Sequence, residues 1–424
     1  MKRLFLICVA TAMAVAVCLA AAITIPSVAS AAATATAITL KPAAGPPTTA
    51  VTVTGTGFGP GETVSVDFDA TPAATAASAD GSFTTSFQVP AAAMPGRHTV
   101  TSTGQSSGLS ATVPFWVRTN WAKFHRGSRN SGFNPYENVL SPANVGGLTV
   151  AWSQPANGTV NSSPAVVNGV VYVGGGFSSV YALKASTGAQ LWSYPTGTYV
   201  DSSPAVANGV VYVGSGDGNV YALKAATGAL LWSYPTGRQV ESSPTVVSGV
   251  VYVGSVTGSV YALDAATGAL LWSHPTGGYV DDSPAVVNGV VYVGSWDGSV
   301  YALDAATGAQ LWSYATGNYI ESSPAVVNGV VYVGSDDGNV YALKAATGRK
   351  LWSYHAGGYV WSAPAVANGV VYVDTYNGTI YALDAATGAL LWSYPVGTNW
   401  SSPAVVNGAV YVGSADSNIY KFHL

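Results

Sequence analysis

Tryptophan recurs at positions 152, 192, 232, 272, 312, 352 and 392, forty residues apart each time. Between these tryptophans one unit returns almost verbatim, for example SSPAVVNGVVYVGSDDGNVYALKAATGRKLW, ending at Trp352. A fixed period of about 40 residues marks an array in which each unit buries its apolar face against the next. Any fold of this chain has to stack near-identical small units side by side.

Each unit reads as four short strands. In the copy ending at Trp352, Pro324 to Val327 form the first and Val330 to Gly334 the second, joined by Asn328-Gly329. Asn-Gly is the strongest two-residue hairpin signal, because both positions need positive φ. Asp337-Gly338 turns into a third strand, Asn339 to Leu343. Thr347-Gly348 turns into a fourth, Lys350 to Tyr354, which carries the tryptophan. The strands are rich in β-branched and aromatic residues, and nothing has the spacing of an amphipathic helix.

Tandem four-stranded units of about 40 residues predict a β-propeller. Six complete units end at Trp192, Trp232, Trp272, Trp312, Trp352 and Trp392, and a seventh runs from Ser401 only to Leu424. The fourth strand that it lacks is expected from Leu148 to Trp152, ahead of the first complete unit. Closing the ring with one strand from each end leaves no unpaired edge. The expected fold is all-β, with a seven-bladed propeller over residues 148–424.

The stretch ALDAATGALLW, Ala262 to Trp272, shows the recurring signature: Ala, a polar residue two on, Thr-Gly, then Trp ten residues after the Ala. This pattern resembles the pyrroloquinoline-quinone-like (PQQ-like) repeats of a β-propeller family, over about residues 119 to 424. The lead-in, with Trp121, Phe124, Gly132, Asn134, Leu148 and Trp152, is similar to the start of that family. The resemblance implies that Trp152, Trp192, Trp232, Trp272, Trp312, Trp352 and Trp392 dock onto the Ala and Gly of a neighbouring blade. Burying one Trp removes about 150–250 Å² from water, worth at most ~4–6 kcal/mol, so these residues read as core and not as a ligand ladder. Family members include quinone-dependent dehydrogenases, an outer-membrane assembly scaffold and sensor domains, so the resemblance implies a fold and no single function.

Lys2 and Arg3 precede an apolar run from Leu4 to about Ile25, followed by Ala29, Ser30 and Ala31. That order is a secretory signal, expected over residues 1–31 and cut after Ala31 or Ala33; an uncleaved anchor is the alternative. The expected location is secreted, extracellular or cell-surface, with a membrane reached only through an uncleaved signal. Cys8 and Cys18 both lie in this segment, so disulfides, thiolate catalysis and Cys-ligated metals are excluded from the mature chain. In the quinone dehydrogenases of the family, the cofactor stacks on a disulfide of adjacent cysteines and on a Trp, with calcium held by carboxylate and amide, in eight blades. Neither PQQ nor calcium is therefore expected here. The formal net charge is -4 and no Lys/Arg cluster appears, which excludes a nucleic-acid footprint.

Residues 32–36 are Ala/Thr-rich and read as a disordered linker. Over residues 37–117, Val51, Val53, Val64, Val66 and Phe68 alternate with polar residues. Gly57 to Gly61, Asp80-Gly81 and Pro95-Gly96 supply the turns. Short strands with turns at this spacing predict a β-sandwich, similar to bacterial immunoglobulin-like domains. Residues 118–147, with Arg118, Lys123, Arg126 and Arg129, read as a solvated connector.

Catalytic signatures are missing: no HExxH, no Gly-rich loop ending in Lys-Ser/Thr and no CxxC occurs. Gly104 to Gly108, GQSSG, fits a nucleophile elbow but falls in an expected sandwich loop instead of a strand–turn–helix. His98, His125, His274, His355 and His423 keep no metal-ligand spacing. No catalytic or metal-binding residue is assigned.

Near-identical repeats should carry function where they differ. The residue three before each strand-opening Pro reads Asn161, Asp201, Glu241, Asp281, Glu321, Trp361 and Trp400 around the ring. Two residues earlier the series is Thr159, Tyr199, Gln239, Tyr279, Tyr319, Tyr359 and Thr398. Both series lie in the connection from an outer strand to the next innermost one, which places them on one mouth of the central channel. Trp296, Asp336 and Tyr376, also variable, are expected to flank the same rim. Carboxylates gathered on one rim attract cations, and aromatics beside them suit sugars or peptide side chains. A polar, solvated propeller end is the plainer alternative. The sequence thus predicts a monomeric, non-catalytic scaffold that binds a protein, peptide or glycan at this mouth. An extracellular enzyme, glycan hydrolase or quinone-dependent dehydrogenase, is the other reading.

Overall fold

A computed structural model describes residues 35–118, 123–124, 130, 150–155, 159–175, 178–398, 401–406, 409–414 and 418–423. The expected signal, Trp121, Arg126, Arg129, Gly132, Asn134, Leu148 and Trp400 lie outside the described residues. Among the described residues no helix is long and apolar enough to cross a membrane.

The front domain is a β-sandwich, as its alternating valines require. One sheet pairs Ala37–Lys41, Ala50–Thr56 and Phe83–Gln88. The other orders Ala44–Gly45, Ser110–Val117, Gly96–Gly104, Thr63–Phe68 and Thr71–Ala77. Val51, Val53, Val64, Val66, Val100 and Phe115 are fully buried between them. The GQSSG stretch is a loop between two strands, held by Glu62, which accepts from the backbone N–H of Ser106 and Ser107 at 3.1 and 2.8 Å. Its role is structural. Thr36, read as part of a disordered linker, donates its hydroxyl to the Gly57 carbonyl at 3.0 Å, so order begins earlier than expected.

Six four-stranded antiparallel sheets follow, then a seventh with three strands among the described residues. We number them blades 1 to 7, from Ala165–Pro195 to Ala404–His423. In blade 5 the strands are Ala325–Val327, Val330–Gly334, Asn339–Lys344 and Lys350–His355. Asn328 and Gly329 both take positive φ, 49° and 77°, as the Asn-Gly hairpin requires. Of the expected closing strand, Val150 to Trp152 is described and carries no strand pairing.

Blades lock through one recurring joint. The indole N–H of Trp272, in blade 3, donates to the Ala305 carbonyl of blade 4 at 3.0 Å. Tyr252 donates its hydroxyl to the same carbonyl at 3.0 Å. Gly308 sits under the ring at φ 73°, and a Cβ there would lie 2.7 Å from the indole. Glycine is thus required twice over, by conformation and by space. Trp152, Trp192, Trp232, Trp312 and Trp352 repeat the indole bond to Ala185, Ala225, Ala265, Ala345 and Ala385. Trp392 departs from the expectation. It is 37% exposed and packs edge-on against Phe422 at 4.8 Å, and among the described residues its indole meets no Ala carbonyl of the kind that receives the other six.

Candidate functional site: an acidic channel mouth

The Ser-Ser-Pro at the start of each unit builds the channel wall. The first serine bonds within its blade: the Gly214 N–H donates to Ser202 Oγ at 3.0 Å, and Gly334 N–H to Ser322 Oγ at 3.0 Å. The second reaches the preceding blade: Ser163 N–H donates to Ser203 Oγ at 2.8 Å, Ser203 N–H to Ser243 Oγ at 2.9 Å, and Ser283 N–H to Ser323 Oγ at 2.8 Å. Each such bond contributes about 1 kcal/mol and fixes the rim residues beside it.

Asn161, Asp201, Glu241, Asp281, Glu321 and Trp361 line one cavity of about 980 Å³ with the innermost strands. Tyr199, Tyr279, Tyr319 and Tyr359 do not line it; they support residues around it. Tyr199 donates to Glu241 Oε1 at 2.9 Å, and burial and this carboxylate push its phenol up to about 12. Tyr279 and Tyr319 flank the Trp296 ring at 5.2 and 5.4 Å. The Trp296 indole N–H then donates to Asp281 Oδ1 at 3.0 Å. Tyr359 and Tyr376 stack around Trp361 at 5.8 and 4.5 Å, and the Trp361 indole N–H donates to Asp336 Oδ1 at 2.8 Å. The variable turn residues Trp296, Asp336 and Tyr376 therefore contact the rim residues Asp281 and Trp361. The Arg238 guanidinium lies over the Tyr279 ring at 5.7 Å, so one rim aromatic already carries a cation on its face.

The carboxylates are held against their preference. Burial pushes Asp281 up to about 6 despite the Trp296 bond. Burial, with the charges of Asp336 and Asp281, pushes Glu321 up to about 7. Asp336 is raised as well, chiefly by burial. Among the described residues the one ion pair is His98–Asp69, in the sandwich, so none of them pairs a cation with a mouth carboxylate.

Two features escaped the sequence reading. Asp282 stands where other blades carry the first serine. It is buried, accepts from the Gly294 N–H at 2.7 Å through Oδ2, and its Oδ1 has no hydrogen-bond partner among the described residues. Burial raises its pKa well above the usual carboxylate range. The signal was visible as Asp281-Asp282 where other units have an acid and Ser. The second is Lys123, which we expected on a solvated connector. It is buried instead, donating to Thr245 Oγ1 and Asn130 Oδ1 at 2.6 Å each, while Asn130 donates to the Ser283 carbonyl at 3.0 Å. Lys123 and Asn130 thus bond to blades 3 and 4, and Phe124 reaches the mouth cavity. Only the Thr at 245, where other units have Ala, hinted at this.

Burial lowers Lys123 from 10.5 to about 7. Between these values the unfolded chain binds the extra proton, so stability rises with pH through the window and is lost as pH falls to about 7. A Lys123→Met chain should lack that slope: its melting temperature relative to wild type should be highest at about pH 7 and fall toward pH 9. Parallel melting curves for the two chains would contradict the buried amine.

Residues 146–240, 216–320, 257–362 and 297–423 match the family described as outer membrane protein assembly factor BamB. Residues 33–117 match the macroglobulin-like domain, consistent with an immunoglobulin-like sandwich. No curated protein matches the chain. Among solved structures, BamB from Moraxella catarrhalis aligns with TM-score 0.58 and 24% identity, over 65% of this chain and 88% of that one. A europium-containing methanol dehydrogenase aligns with TM-score 0.61 and 17% identity, over 72% and 85%. Quinohemoprotein alcohol dehydrogenase from Comamonas testosteroni gives 0.61 and 19%, over 72% and 71%. At these identities the likenesses speak for fold alone. The family match extends over residues 146–423, well over half of the sequence, and the chain therefore belongs to the PQQ-like repeat family described as outer membrane protein assembly factor BamB.

Proposed function

We propose that this protein is a secreted or cell-surface binding scaffold whose propeller takes a protein, peptide or glycan at the mouth formed by Asn161, Asp201, Glu241, Asp281, Glu321 and Trp361. The observation that carries the reading is the set of half-buried carboxylates raised above their usual range, with no ion pair to a described cation. Carboxylates perturbed by burial in a cleft mark a functional site more often than an ordinary polar surface. The family name, an assembly factor, fits protein-partner binding in general. In this reading the scaffold works as a monomer.

The PQQ dehydrogenases that share the fold raise the question of a quinone and its metal. The donors here do not fit them. The sequence has no adjacent cysteines, and no group of three or more His, Cys, Asp or Glu among the described residues converges on a metal position. No redox step is assigned to this chain.

Capture from an envelope extract of the producing organism tests the reading. Wild-type protein should retain a partner, and a chain carrying Asp201→Asn, Glu241→Gln, Asp281→Asn and Glu321→Gln should not. Full retention by the variant would remove the mouth from the function.

A further inference from the structure

The mouth is uneven. On blades 1 to 3 its rim is Asn161, Asp201 and Glu241, bonded among themselves and to Tyr199: Asn161 Nδ2 donates to Asp201 Oδ1 at 3.3 Å, and Tyr199 to Glu241. On blades 4 to 6, Glu321 accepts no hydrogen bond from the described residues and stands within the repulsive fields of Asp281 and Asp336. On either side of it is an aromatic stack. Trp296 lies parallel to Tyr319, the planes 14° apart, and Trp361 lies near-parallel to Tyr359 at 22°. Both indole N–H groups are bonded to carboxylates and each indole is flanked by two tyrosines, so the rings are fixed and the faces left to a ligand are those of the exposed tyrosines. Tyr319 and Tyr359 are each 48% exposed.

A second observation points to a ligand independently of the acidic cluster. Asp282 lines the same cavity, is 3% exposed, and has an oxygen with no hydrogen-bond partner among the described residues. Serine in this place satisfies itself within the wall, as Ser202 does by donating to the Ser242 carbonyl at 3.0 Å. An acid there adds an acceptor that the fold does not use. Buried acceptors left unpaired cost about 1–3 kcal/mol, so such a group persists where something else pairs with it.

Resting on the reading of the mouth as a binding site, we propose that its ligand is a protein or peptide that inserts an arginine side chain into this cavity against Glu321 and Trp361, with the exposed rings of Tyr319 and Tyr359 around it. The chemistry of each wall selects this group. A planar guanidinium stacks on aromatic faces and at the same time offers several N–H donors to carboxylates. It discharges the repulsion among Glu321, Asp281 and Asp336, which a neutral sugar hydroxyl does not. A cavity of about 980 Å³ holds the side chain and the backbone that presents it. Phe124 lines the same cavity, and Lys123 is bonded to Thr245 of the wall beside it.

The test uses the full secreted chain and blocked Gly-Arg-Gly, with blocked Gly-citrulline-Gly as its neutral isostere, followed by titration calorimetry and by the emission of the mouth tryptophans. The arginine peptide should bind saturably, with affinity reduced at least about tenfold in the citrulline peptide and about tenfold in a Glu321→Gln chain. Glu321→Gln keeps size and hydrogen bonding and should leave the melting temperature no lower, so the loss is not one of folding. Equal binding of the citrulline peptide, or unchanged affinity in Glu321→Gln, overturns the arginine assignment. So does saturable binding of a neutral oligosaccharide at the mouth in place of the peptide. Each of these leaves the binding-site reading standing if the four-amide variant still loses its captured partner. If that variant captures like wild type, the site itself is wrong and the arginine assignment falls with it.

Discussion

A Trp272→Ala chain should melt roughly 6–10 °C below wild type. The indole is 8% exposed, so its removal deletes a nearly complete burial and leaves a cavity between two blades. Trp→Ala changes in cores cost about 3–5 kcal/mol, and for a unit the size of this propeller, at about 2.1 cal/mol/K of unfolding entropy per residue, each kcal/mol moves the midpoint by about 2 °C. The Ala305 carbonyl keeps its Tyr252 donor, so the loss is one of packing more than of hydrogen bonding. Trp392→Ala is the internal control. Its ring is 37% exposed and has no Ala–Gly dock, so its loss should move the midpoint by only a small part of the Trp272 effect. Equal effects at the two positions, or an unchanged midpoint for Trp272→Ala, would refute the docked joint. Gly308→Ala should mimic Trp272→Ala, since the added methyl meets the ring and the φ of 73° is one that alanine resists.

The contrast between these tryptophans also shows how far the sequence could be read. Strand positions, the Asn-Gly turns and the tryptophan joint follow from one repeated unit, because local turn chemistry and nearest-neighbour packing determine them. Trp392 has the same local sequence as Trp272 and a different fate, because its environment depends on what the array does at its end. The rim series was legible for the same reason as the strands: a fixed offset from a fixed Pro puts each residue at an equivalent place, and the cavity lining matches it from Asn161 to Trp361. Lys123 was not legible. It lies outside the repeat, and a lysine in a Gly- and Asn-rich stretch looks solvated until the ring exists to surround it. Asp282 was visible as a substitution, but its missing partner is a property of the folded wall.

Replacing the mouth acids by amides should make the protein more stable above neutral pH. Asp281 and Glu321 are held at about 6 and about 7 in the folded chain, above their ordinary values of 3.8 and 4.5. Between those limits the folded chain binds more protons than the unfolded one. Stability from these groups is full below about pH 4 and is lost as the pH rises through about 7. A tenfold change in proton affinity corresponds to ~1.4 kcal/mol; with Glu321 partly exposed and its field screened, the pair together cost about 2–4 kcal/mol at alkaline pH. Asp281→Asn with Glu321→Gln should therefore raise the midpoint by roughly 4–8 °C near pH 8, with the gain shrinking to almost nothing near pH 4. The amides keep the acceptor for the Trp296 indole, so the rim geometry should survive. A residue pair that weakens the fold is retained for what it does to something else, in line with the general trade between stability and function. No gain at alkaline pH would mean that the carboxylates sit comfortably in water and that the mouth is an ordinary polar end.

Stability and binding can be measured together in one protein. The chain with Asp201→Asn, Glu241→Gln, Asp281→Asn and Glu321→Gln is melted and used for envelope capture beside wild type, both near neutral pH. A mouth kept for a ligand predicts a midpoint equal to or above wild type together with loss of the captured partner. A variant that is equally stable and still holds the partner in full would contradict it.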